Sequence, residues 1–353
     1  MASWHLAKIA RVLEVKMPHS AAAQDFTVSI LATDSRSYFP PQQALFFALS
    51  GKNHNGHLYL PELYRRGVRA FVVEEKLPLP GKEALMIEVK DSRRALQKLA
   101  EAVRRESKAT LCAITGSNGK TIVKEWLAQM LLPHFELCRN PGSYNSQIGV
   151  PLSVWRLEPQ HQWGIFEAGI SRPGEMERLE EMLRPEIGIF TNIGSAHDEN
   201  FSSRQQKIAE KLQLFTNAPF LVYEKTDGAL SAAIEKFAAE RSLQLLSWSL
   251  SDAAAQLHLP KSTETQNGLM LSGTFKGAPL RFTFPFAEKA SLQNALHAVR
   301  TALHAGLSPE EIQKGLERLQ PVEMRQELQQ GQDNSLIIND SYNSDLESLQ
   351  SAL

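Results

Sequence analysis

The chain has 353 residues, 42% hydrophobic and 22% charged, which is typical of a globular protein large enough for two or three domains. Its net charge of −1 excludes the basic footprint of a nucleic-acid-binding protein, and its two cysteines, Cys112 and Cys138, fit neither a disulfide framework nor a metal spacing. We expect both thiols to be buried. The N-terminus lacks the apolar core of a signal peptide, and no apolar run is long enough to span a bilayer, so we predict a cytoplasmic protein.

Residues 1–107 predict a small first α/β domain. Its first residues have an amphipathic helical pattern, with apolar side chains at Leu6, Ile9, Ala10 and Leu13. The predicted strands are 26–30, 44–49 and 70–73, and the predicted helices are 58–66 and 92–107. The second of these helices leads directly into the next domain.

Residues 108–330 predict a central domain in which strands and helices alternate, as they do in a parallel sheet with crossover helices. The predicted strands are 111–115, 163–168 and 187–192, and the predicted helices are 120–132, 175–183, 203–216 and 291–304. Residues 256–286 alternate like antiparallel strands, which indicates an inserted hairpin or a sheet edge. A last helix begins at Ser308, with the serine as N-cap, proline next and Glu311 three residues after the cap.

Residues 331–353 predict the beginning of a third, Rossmann-like domain. A strand runs into a polar turn and a helix starts, but so few residues cannot bury a core of their own. We therefore expect the chain to be a piece of a longer protein that lacks most of this domain.

A glycine-rich turn follows the strand at 111–115 and opens the helix at 120. Its residues are Thr115, Gly116, Ser117, Asn118, Gly119, Lys120 and Thr121. Such a turn can surround phosphates with backbone N–H groups, while the lysine reaches the outer phosphates and the last hydroxyl binds Mg²⁺. The standard P-loop pattern requires a glycine where this chain has Ile114, so an ordinary strand-to-helix turn is the alternative.

Three more side chains lie where phosphate chemistry needs them. Glu167 ends a predicted strand and His197 follows the next one, at the sheet edge where ligands bind in open α/β folds. Lys211 lies on the apolar face of its helix, where desolvation would favour the neutral amine, which can take up CO₂ as a carbamate and bind a hard cation. Taken singly, each has an ordinary alternative: a solvated glutamate, a surface histidine, and a lysine whose amine extends out to solvent.

Together these motifs resemble the Mur ligase family, the ATP-dependent amide-forming enzymes of peptidoglycan assembly. The resemblance implies an ATP-binding central domain of the P-loop type and an N-terminal domain that binds a uridine nucleotide. It implies catalytic roles for Lys120, Glu167, His197 and Lys211, with Mg²⁺ at two sites. Thr121 and Glu167 would hold the first ion, and His197 and carbamylated Lys211 the second. It further assigns nucleotide contacts to Asn294, Arg325 and Asp340.

Other stretches resemble the family member that joins D-alanyl-D-alanine to UDP-N-acetylmuramoyl-tripeptide. The substrate-binding residues implied by this resemblance are Ser35, Arg36, His54, Asn55, Gly56, Asn145, Tyr342 and Asn343. The motif that begins at Asp340 departs from the family pattern at Ser344. The sequence of residues 166–175 most resembles the form of this ligase that is fused to an alanine racemase. We therefore expect a racemase domain beyond Leu353.

The implied reaction has two steps. The substrate carboxylate attacks the γ-phosphoryl group of ATP, and the amine of D-alanyl-D-alanine then displaces phosphate from the acyl phosphate. The resemblance places the contacts to the incoming amine mostly in the third domain, so we expect this chain alone to form little or no amide. The alternatives are a sister ligase that adds another amino acid, a folylpolyglutamate synthase, a P-loop kinase or nucleotide-hydrolysing switch, and a non-catalytic nucleotide-binding module.

Overall fold

A computed structural model describes residues 3–18, 21–51, 54–194, 200–320, 322, 327–330 and 335–339. The chain forms two compact units. The first comprises Met1–Lys108, Ser146–Gln160 and Glu181–Leu183, and the second comprises Ala109–Asn145, His161–Glu180 and Arg184–Leu353. The first unit thus takes in residues 146–160, which the sequence places in the central domain; the domain boundaries at 107 and 330 stay predictions.

Strands and helices alternate through most of the chain. The strands, in chain order, are β1 (Trp4–His5), β2 (Thr27–Val28), β3 (Ile30–Ala32), β4 (Ala44–Phe47), β5 (Ser50–Gly51), β6 (His54–Asn55), β7 (Ala70–Val73), β8 (Leu85–Glu88), β9 (Thr110–Thr115), β10 (Leu137–Arg139), β11 (Trp163–Glu167), β12 (Ile187–Phe190), β13 (Phe220–Glu224), β14 (Gln244–Ser249), β15 (Leu257–Thr265), β16 (Gly268–Phe275), β17 (Ala278–Phe284), β18 (Glu327–Gln330) and β19 (Leu336–Asn339). The α-helices are α1 (Leu6–Leu13), α2 (Ala21–Asp25), α3 (Leu60–Arg65), α4 (Ser92–Glu106), α5 (Lys120–Leu131), α6 (Gly149–Val154), α7 (Glu175–Leu183), α8 (Arg204–Leu212), α9 (Ala229–Ala239), α10 (Lys289–His304) and α11 (Pro309–Leu316). Short 3₁₀ turns occupy Pro41–Gln43, Gly56–Tyr59 and Gln213–Phe215.

The first unit is built on a parallel sheet with the strand order β3-β4-β7-β8. All four residues of β4 are buried, as are all four of β7, because strands covered on both faces read as continuous apolar runs. The amphipathic pattern at the N-terminus forms α1, whose buried residues are Leu6, Ile9, Ala10 and Leu13. The predicted apolar face of this helix is therefore confirmed.

The second unit contains a sheet with the strand order β10-β11-β9-β12-β13-β14-β15-β16-β17. Pairing is parallel from β10 through β15 and antiparallel at the end. The strand order reverses at β9, which has β11 on one side and β12 on the other. In open α/β sheets, ligands bind outside the carboxyl ends of the strands at such a reversal. The α/β class with a parallel-sheet core is confirmed.

The antiparallel segment predicted for 256–286 is the edge of this large sheet. Strands β15, β16 and β17 extend the parallel strands in two successive hairpins. The second hairpin turns at Lys276 and Gly277, which have φ values of +48° and +84°. Positive φ at both positions is what a two-residue hairpin loop of type I′ requires.

The long elements of both units agree with their predictions within a few residues, and the capping box at Ser308 is confirmed at the start of α11. Several elements have no counterpart in the sequence prediction: β8, β10, α6, β13, α9 and β14. Strand β10 has three residues and α6 has six, so each is shorter than the stretch over which a hydrophobic period can be recognised.

Cys112 and Cys138 are both buried, as predicted. Across the described ranges, we find no helix with the length and apolarity needed to cross a bilayer. Near the end of the chain, β18 and β19 pair antiparallel. Because residues 340–353 lie outside the described part, the third domain stays a prediction.

The apolar core of the second unit should contribute strongly to the free energy of unfolding of that unit. Leu127 on α5 is fully buried in the main apolar cluster, whereas Leu132, just after the same helix, is 48% exposed. We expect Leu127→Ala to lower the free energy of unfolding of this unit by about 2–5 kcal/mol, because it removes buried methyl groups and leaves a cavity. Urea denaturation measures this change. Leu132→Ala is the matched control, with an expected change within about 0.5 kcal/mol, and equal losses in the two variants would contradict this assignment of the core.

Candidate functional site

The glycine-rich turn lies at the reversal point of the large sheet. It follows Thr115, the last residue of β9, and leads into α5 at Lys120. Gly116 has φ +143° and Gly119 has φ +80°, conformations that side chains with a Cβ rarely adopt. A Cβ on Gly116 would lie 2.0 Å from Thr191 Oγ1, so the backbone approaches β12 as closely as glycine allows.

The end of β12 holds this turn in place. Ser117 N donates to Asn192 O at 3.0 Å, Asn118 N donates to Asn192 Oδ1 at 2.9 Å, and Thr191 Oγ1 donates to Asn118 O at 2.7 Å. The N–H groups of Gly119 and Thr121 make no hydrogen bond with any residue that the structure describes. Unpaired N–H groups at a helix N-terminus form a ready site for an anion.

Asn294 on α10 closes the other side of the turn. A Cβ on Gly119 would lie 2.2 Å from Asn294 Oδ1, and the Asn294 side chain is 7% exposed. Thr191 O lies 3.1 Å from Nε2 of the buried His297, one helical turn further along α10. The structure therefore brings Asn294, predicted to contact the nucleotide, against the predicted phosphate turn.

Three lysine amines meet at the same turn. Lys120 Nζ donates to Gly116 O at 2.9 Å and to Ser117 O at 2.7 Å, and Lys211 Nζ donates to Gly116 O at 3.1 Å. Lys207, one helical turn before Lys211 on α8, donates to Gly194 O at 2.6 Å. The amines of Lys120 and Lys207 place positive charge beside the turn and beside the buried Lys211.

Lys211 is 4% exposed, which agrees with its position on the apolar face of the helix. Burial lowers the pKa of its amine well below the ordinary 10.5, and the charges of Lys120 and Lys207 lower it further, against the opposing effect of Glu210. The Glu210 carboxylate also interacts with the main chain, because its Oε1 accepts a hydrogen bond from Gly174 N at 2.7 Å. A neutral amine at this position is a nucleophile rather than a cation.

Glu167 is the last residue of β11 and is completely buried. Its Oε1 accepts from Asn145 Nδ2 at 3.0 Å, whereas its Oε2 has no hydrogen-bond partner within the described ranges. Burying a carboxylate oxygen without a partner costs free energy unless a cation or a donor binds there. Asn145, predicted to contact the sugar-peptide substrate, thus directly orients a predicted metal ligand.

The Thr121 hydroxyl is 3.1 Å from Ser143 Oγ, in the same loop as Asn145. Both predicted ligands of the first cation, Thr121 and Glu167, therefore contact residues of one short loop. No group of three or more His, Cys, Asp or Glu side chains in the described ranges is arranged to hold a metal. Within those ranges, a cation beside Thr121 and Glu167 would bind one hydroxyl and one carboxylate and not a cluster of acidic side chains.

Some predicted site residues lie outside the described residues. They are His197, Arg325, Asp340, Tyr342 and Asn343. Their roles stay predictions.

The predicted uridine-binding residues lie in the first unit. Arg36 pairs with Asp34 through two side-chain contacts, Nε to Oδ1 at 2.9 Å and Nη2 to Oδ2 at 2.8 Å. These bonds hold the pKa of Asp34 at about 2, with a smaller contribution from the charge of His54. The Arg36 side chain is 88% exposed, and Ser35 O accepts a bond from Arg66. Ser35 and Arg36 thus lie on an exposed, conformationally fixed turn.

A second turn of the first unit contains His54, Asn55 and Gly56. Asn55 Oδ1 accepts from His57 N at 3.0 Å and lies 2.8 Å from His57 Nδ1. Glu74 N donates to His57 Nε2 at 3.0 Å, so Nδ1 carries the proton and donates to Asn55. A Cβ on Gly56 would lie 2.9 Å from Leu49 N, which explains the glycine. The buried His57 therefore fixes the position of Asn55.

The sequence prediction omitted four residues of the site in the second unit: Lys124, Thr191, Asn192 and Lys207. It included Asn140 and Ser143 only as members of a stretch that resembles a substrate loop, without a role of their own. Thr191 and Asn192 were detectable, because polar residues directly after an apolar strand lie at the ligand edge of the sheet. Lys124 and Lys207 interrupt apolar helix faces, which is the same signal that identified Lys211. Asn140 and Ser143 carry no such local signal.

Comparison with known proteins agrees with this geometry. The Mur ligase middle domain matches residues 114–302, and the catalytic domain of the Mur ligase family matches residues 27–104. The chain belongs to the Mur ligase family.

Two curated relatives illustrate the match. The UDP-N-acetylmuramoyl-tripeptide–D-alanyl-D-alanine ligase of Bacillus subtilis is 28% identical over 92% of this chain and 69% of its own length. The ligase of the same name from Treponema pallidum is 32% identical over 82% of this chain and 62% of its own length. A crystal structure of MurF from Acinetobacter baumannii has a TM-score of 0.87 at 24% identity, covering 99% of this chain and 76% of that one. The chain thus spans roughly two thirds to three quarters of these Mur ligases.

The pKa of Lys211 predicts a pH dependence of stability. Because its folded pKa lies below the unfolded 10.5, the unfolded chain binds more protons between these two values. The free energy of unfolding of the wild type, relative to Lys211→Met, should therefore rise with pH through this window, with a limiting slope of about 1.4 kcal/mol per pH unit. Urea denaturation between pH 6 and pH 10 measures the difference, and two parallel curves would show that Lys211 has an ordinary pKa.

Proposed function

We propose that this chain works in an ATP-dependent amide ligase that adds D-alanyl-D-alanine to UDP-N-acetylmuramoyl-tripeptide during the synthesis of peptidoglycan precursors. The main support is the arrangement at the sheet reversal. There, a glycine turn and three lysine amines lie beside strand β11, which ends in the buried Glu167. Within the described ranges, two N–H groups of the turn and one oxygen of Glu167 have no hydrogen-bond partner. The curated relatives that match most of this chain bear the name of this activity.

The phosphates of ATP fit the turn by charge and by geometry. The N–H groups of Gly119 and Thr121 would donate to phosphate oxygens, with the N-terminal end of the α5 dipole adding positive potential. The Lys120 amine donates hydrogen bonds to two carbonyls of the turn itself. Its flexible side chain would allow the amine to bind a phosphate instead. Asn294 lies against Gly119, where it would contact the nucleotide.

Magnesium fits the oxygen atoms of Thr121 and Glu167. The unpartnered Oε2 of Glu167 supports this assignment, because hard cations prefer carboxylate and hydroxyl oxygens. Bound Mg²⁺ would neutralise charge on the phosphates as the substrate carboxylate approaches. The chain itself orients both ligands through Ser143 and Asn145.

A second cation would bind at Lys211 after the lysine becomes a carbamate. Its neutral amine adds to the carbon of CO₂ and releases one proton, which creates an anionic oxygen ligand on a side chain that is otherwise a cation. The low pKa and deep burial of Lys211 support this step. His197 is the proposed partner ligand.

In the reaction, the substrate carboxylate attacks the γ-phosphoryl group and ADP leaves, and the incoming amine then displaces phosphate. Bringing an anion against a polyanion requires charge neutralisation above all, and Lys120, Lys207 and the bound cations would contribute it. We assign the uridine nucleotide to Ser35, Arg36, His54, Asn55 and Gly56. Asn145 is assigned to the muramoyl peptide, and Tyr342 and Asn343 complete the substrate contacts. Arg325 and Asp340 are assigned to the nucleotide, and a fused alanine racemase stays a prediction.

Two variants should separate the two ligand sites. Lys120→Ala should weaken ADP binding by about tenfold to a hundredfold, because it removes a charged donor, and should leave UDP-N-acetylmuramoyl-tripeptide binding unchanged. Arg36→Ala should do the reverse. Isothermal titration calorimetry on this chain measures both affinities.

The same measurements can refute the proposal. If the chain fails to bind the UDP-linked peptide, the ligase assignment is wrong and a nucleotide-binding module remains. ADP release by the intact gene product that needs neither peptide substrate would point to a nucleotide-hydrolysing switch. Amide formation with another amino acid in place of D-alanyl-D-alanine would identify a sister ligase.

The carbamate has its own test. With ¹³C-bicarbonate, the protein should give a carbamate carbon signal in the NMR spectrum, and Lys211→Ala should abolish this signal. In a full-length enzyme, the same substitution should also abolish activity. Added bicarbonate should not restore that variant, whereas a short carboxylic acid should partly replace the missing oxygen ligand. Lys236→Ala, at an exposed position of α9, is the control and should keep the signal. Unchanged turnover in a full-length Lys211→Ala enzyme would remove the proposed role of the carbamate.

A further inference from the structure

Residues 140–145 form a loop that we call the bridging loop, because it contacts both proposed ligands of the first cation. Its Ser143 Oγ lies 3.1 Å from Thr121 Oγ1, and its Asn145 Nδ2 donates to Glu167 Oε1 at 3.0 Å. Thr121 belongs to α5 and Glu167 to β11. The conformation of the bridging loop therefore helps to set the separation of the two ligands.

Lys124 supports this loop from beneath. It lies on α5, three residues after Thr121 and thus on the same helix face, and its side chain is completely buried. Its amine donates to Asn140 O at 2.7 Å and to Gly142 O, and it lies 3.0 Å from Glu125 Oε1. A buried ammonium group that donates to two loop carbonyls holds those carbonyls in one arrangement.

Asn140 links the same loop to the strand that ends in Glu167. Its Oδ1 accepts from Glu167 N at 3.0 Å, and its Nδ2 donates to Glu167 O at 3.1 Å and to Tyr144 O at 2.9 Å. The Asn140 side chain is completely buried. One amide thus fixes both main-chain polar groups of Glu167, while the carbonyl of the same residue accepts from Lys124.

We propose that Lys124 and Asn140 are positioning residues that fix the distance between the Thr121 hydroxyl and the Glu167 carboxylate, and thereby set the affinity of the nucleotide site for a divalent cation. This inference rests on the proposed function. Neither residue touches the cation or the nucleotide, and each acts through the bridging loop. In metal sites, partners that orient the ligands are worth about tenfold to a hundredfold in metal affinity.

A purely stabilising role predicts a different result. If Lys124 and Asn140 only kept the unit folded, their loss would weaken nucleotide binding equally with and without a divalent cation. A positioning role acts only on the part of the affinity that the cation contributes. The main chain of the phosphate turn is held by Thr191 and Asn192, whereas the contact with the bridging loop is made by the Thr121 side chain.

The test measures ADP affinity by titration calorimetry on the full chain, first with EDTA and then over a series of MgCl₂ concentrations. For Lys124→Met we expect the metal-free ADP affinity to stay within about twofold of wild type. The Mg²⁺ concentration that gives half of the metal-dependent gain should rise by about tenfold or more. Asn140→Leu breaks the same network at another point and should give the same pattern. Lys236→Met removes an exposed lysine from the same unit and should match wild type.

Two outcomes would overturn the inference. The first is a wild-type Mg²⁺ midpoint in Lys124→Met or Asn140→Leu, and the second is an equal loss of ADP affinity with and without Mg²⁺. If only one variant folds, its Mg²⁺ midpoint decides. A wild-type chain that binds no ADP, or whose ADP affinity ignores Mg²⁺, would instead contradict the proposed function, so the two failures are distinguishable.

Discussion

The carboxylate of Glu167 is the group around which the rest of the site in the second unit is arranged. It is completely buried at the end of β11, and one of its oxygens has no partner in the described ranges. Burying a carboxylate costs several kcal/mol unless bonds or a cation compensate. The fold compensates part of this cost with Asn145 on one oxygen and Asn140 on the main chain, and leaves the other oxygen for a ligand.

The sheet reversal separates two kinds of charge across the phosphate turn. The oxygen ligands Thr121 and Glu167 lie with the bridging loop, whereas Lys211 and Lys207 come from α8, which follows β12 in the chain. A polyanion bound at the turn would meet the metal ion on the side of Thr121 and Glu167 and the Lys207 amine on the other side, where Lys211 contributes no positive charge. Lys211 also shows the cost of this crowding, since the charges of Lys120 and Lys207 lower its pKa beyond the effect of burial.

The sequence predicted the parts of this architecture that depend on local pattern. Strand β9, the glycine turn and α5 were recognisable because an apolar run, two glycines and an amphipathic helix follow one another within a few residues. Strand β10 and helix α6 were not, because three and six residues are too few for a periodic signal. Asn140 lay beyond reach for another reason: its bonds to Glu167 join positions 27 residues apart, and only the folded sheet brings them together.

Asn145 connects the predicted substrate contacts with the predicted metal ligand Glu167, a link that the sequence alone did not indicate. The family resemblance assigned it to the sugar-peptide substrate, whereas the structure gives it a bond to Glu167 Oε1. An amide has two N–H donors and one acceptor oxygen, so one donor can hold the carboxylate while the second donor and the oxygen face a ligand. Asn145 is only partly buried, and those remaining positions have no partner in the ranges that the structure describes. A substrate that bonds this amide would therefore restrain the same side chain that orients the Glu167 carboxylate, and this links recognition of the acyl donor to the geometry of the metal site.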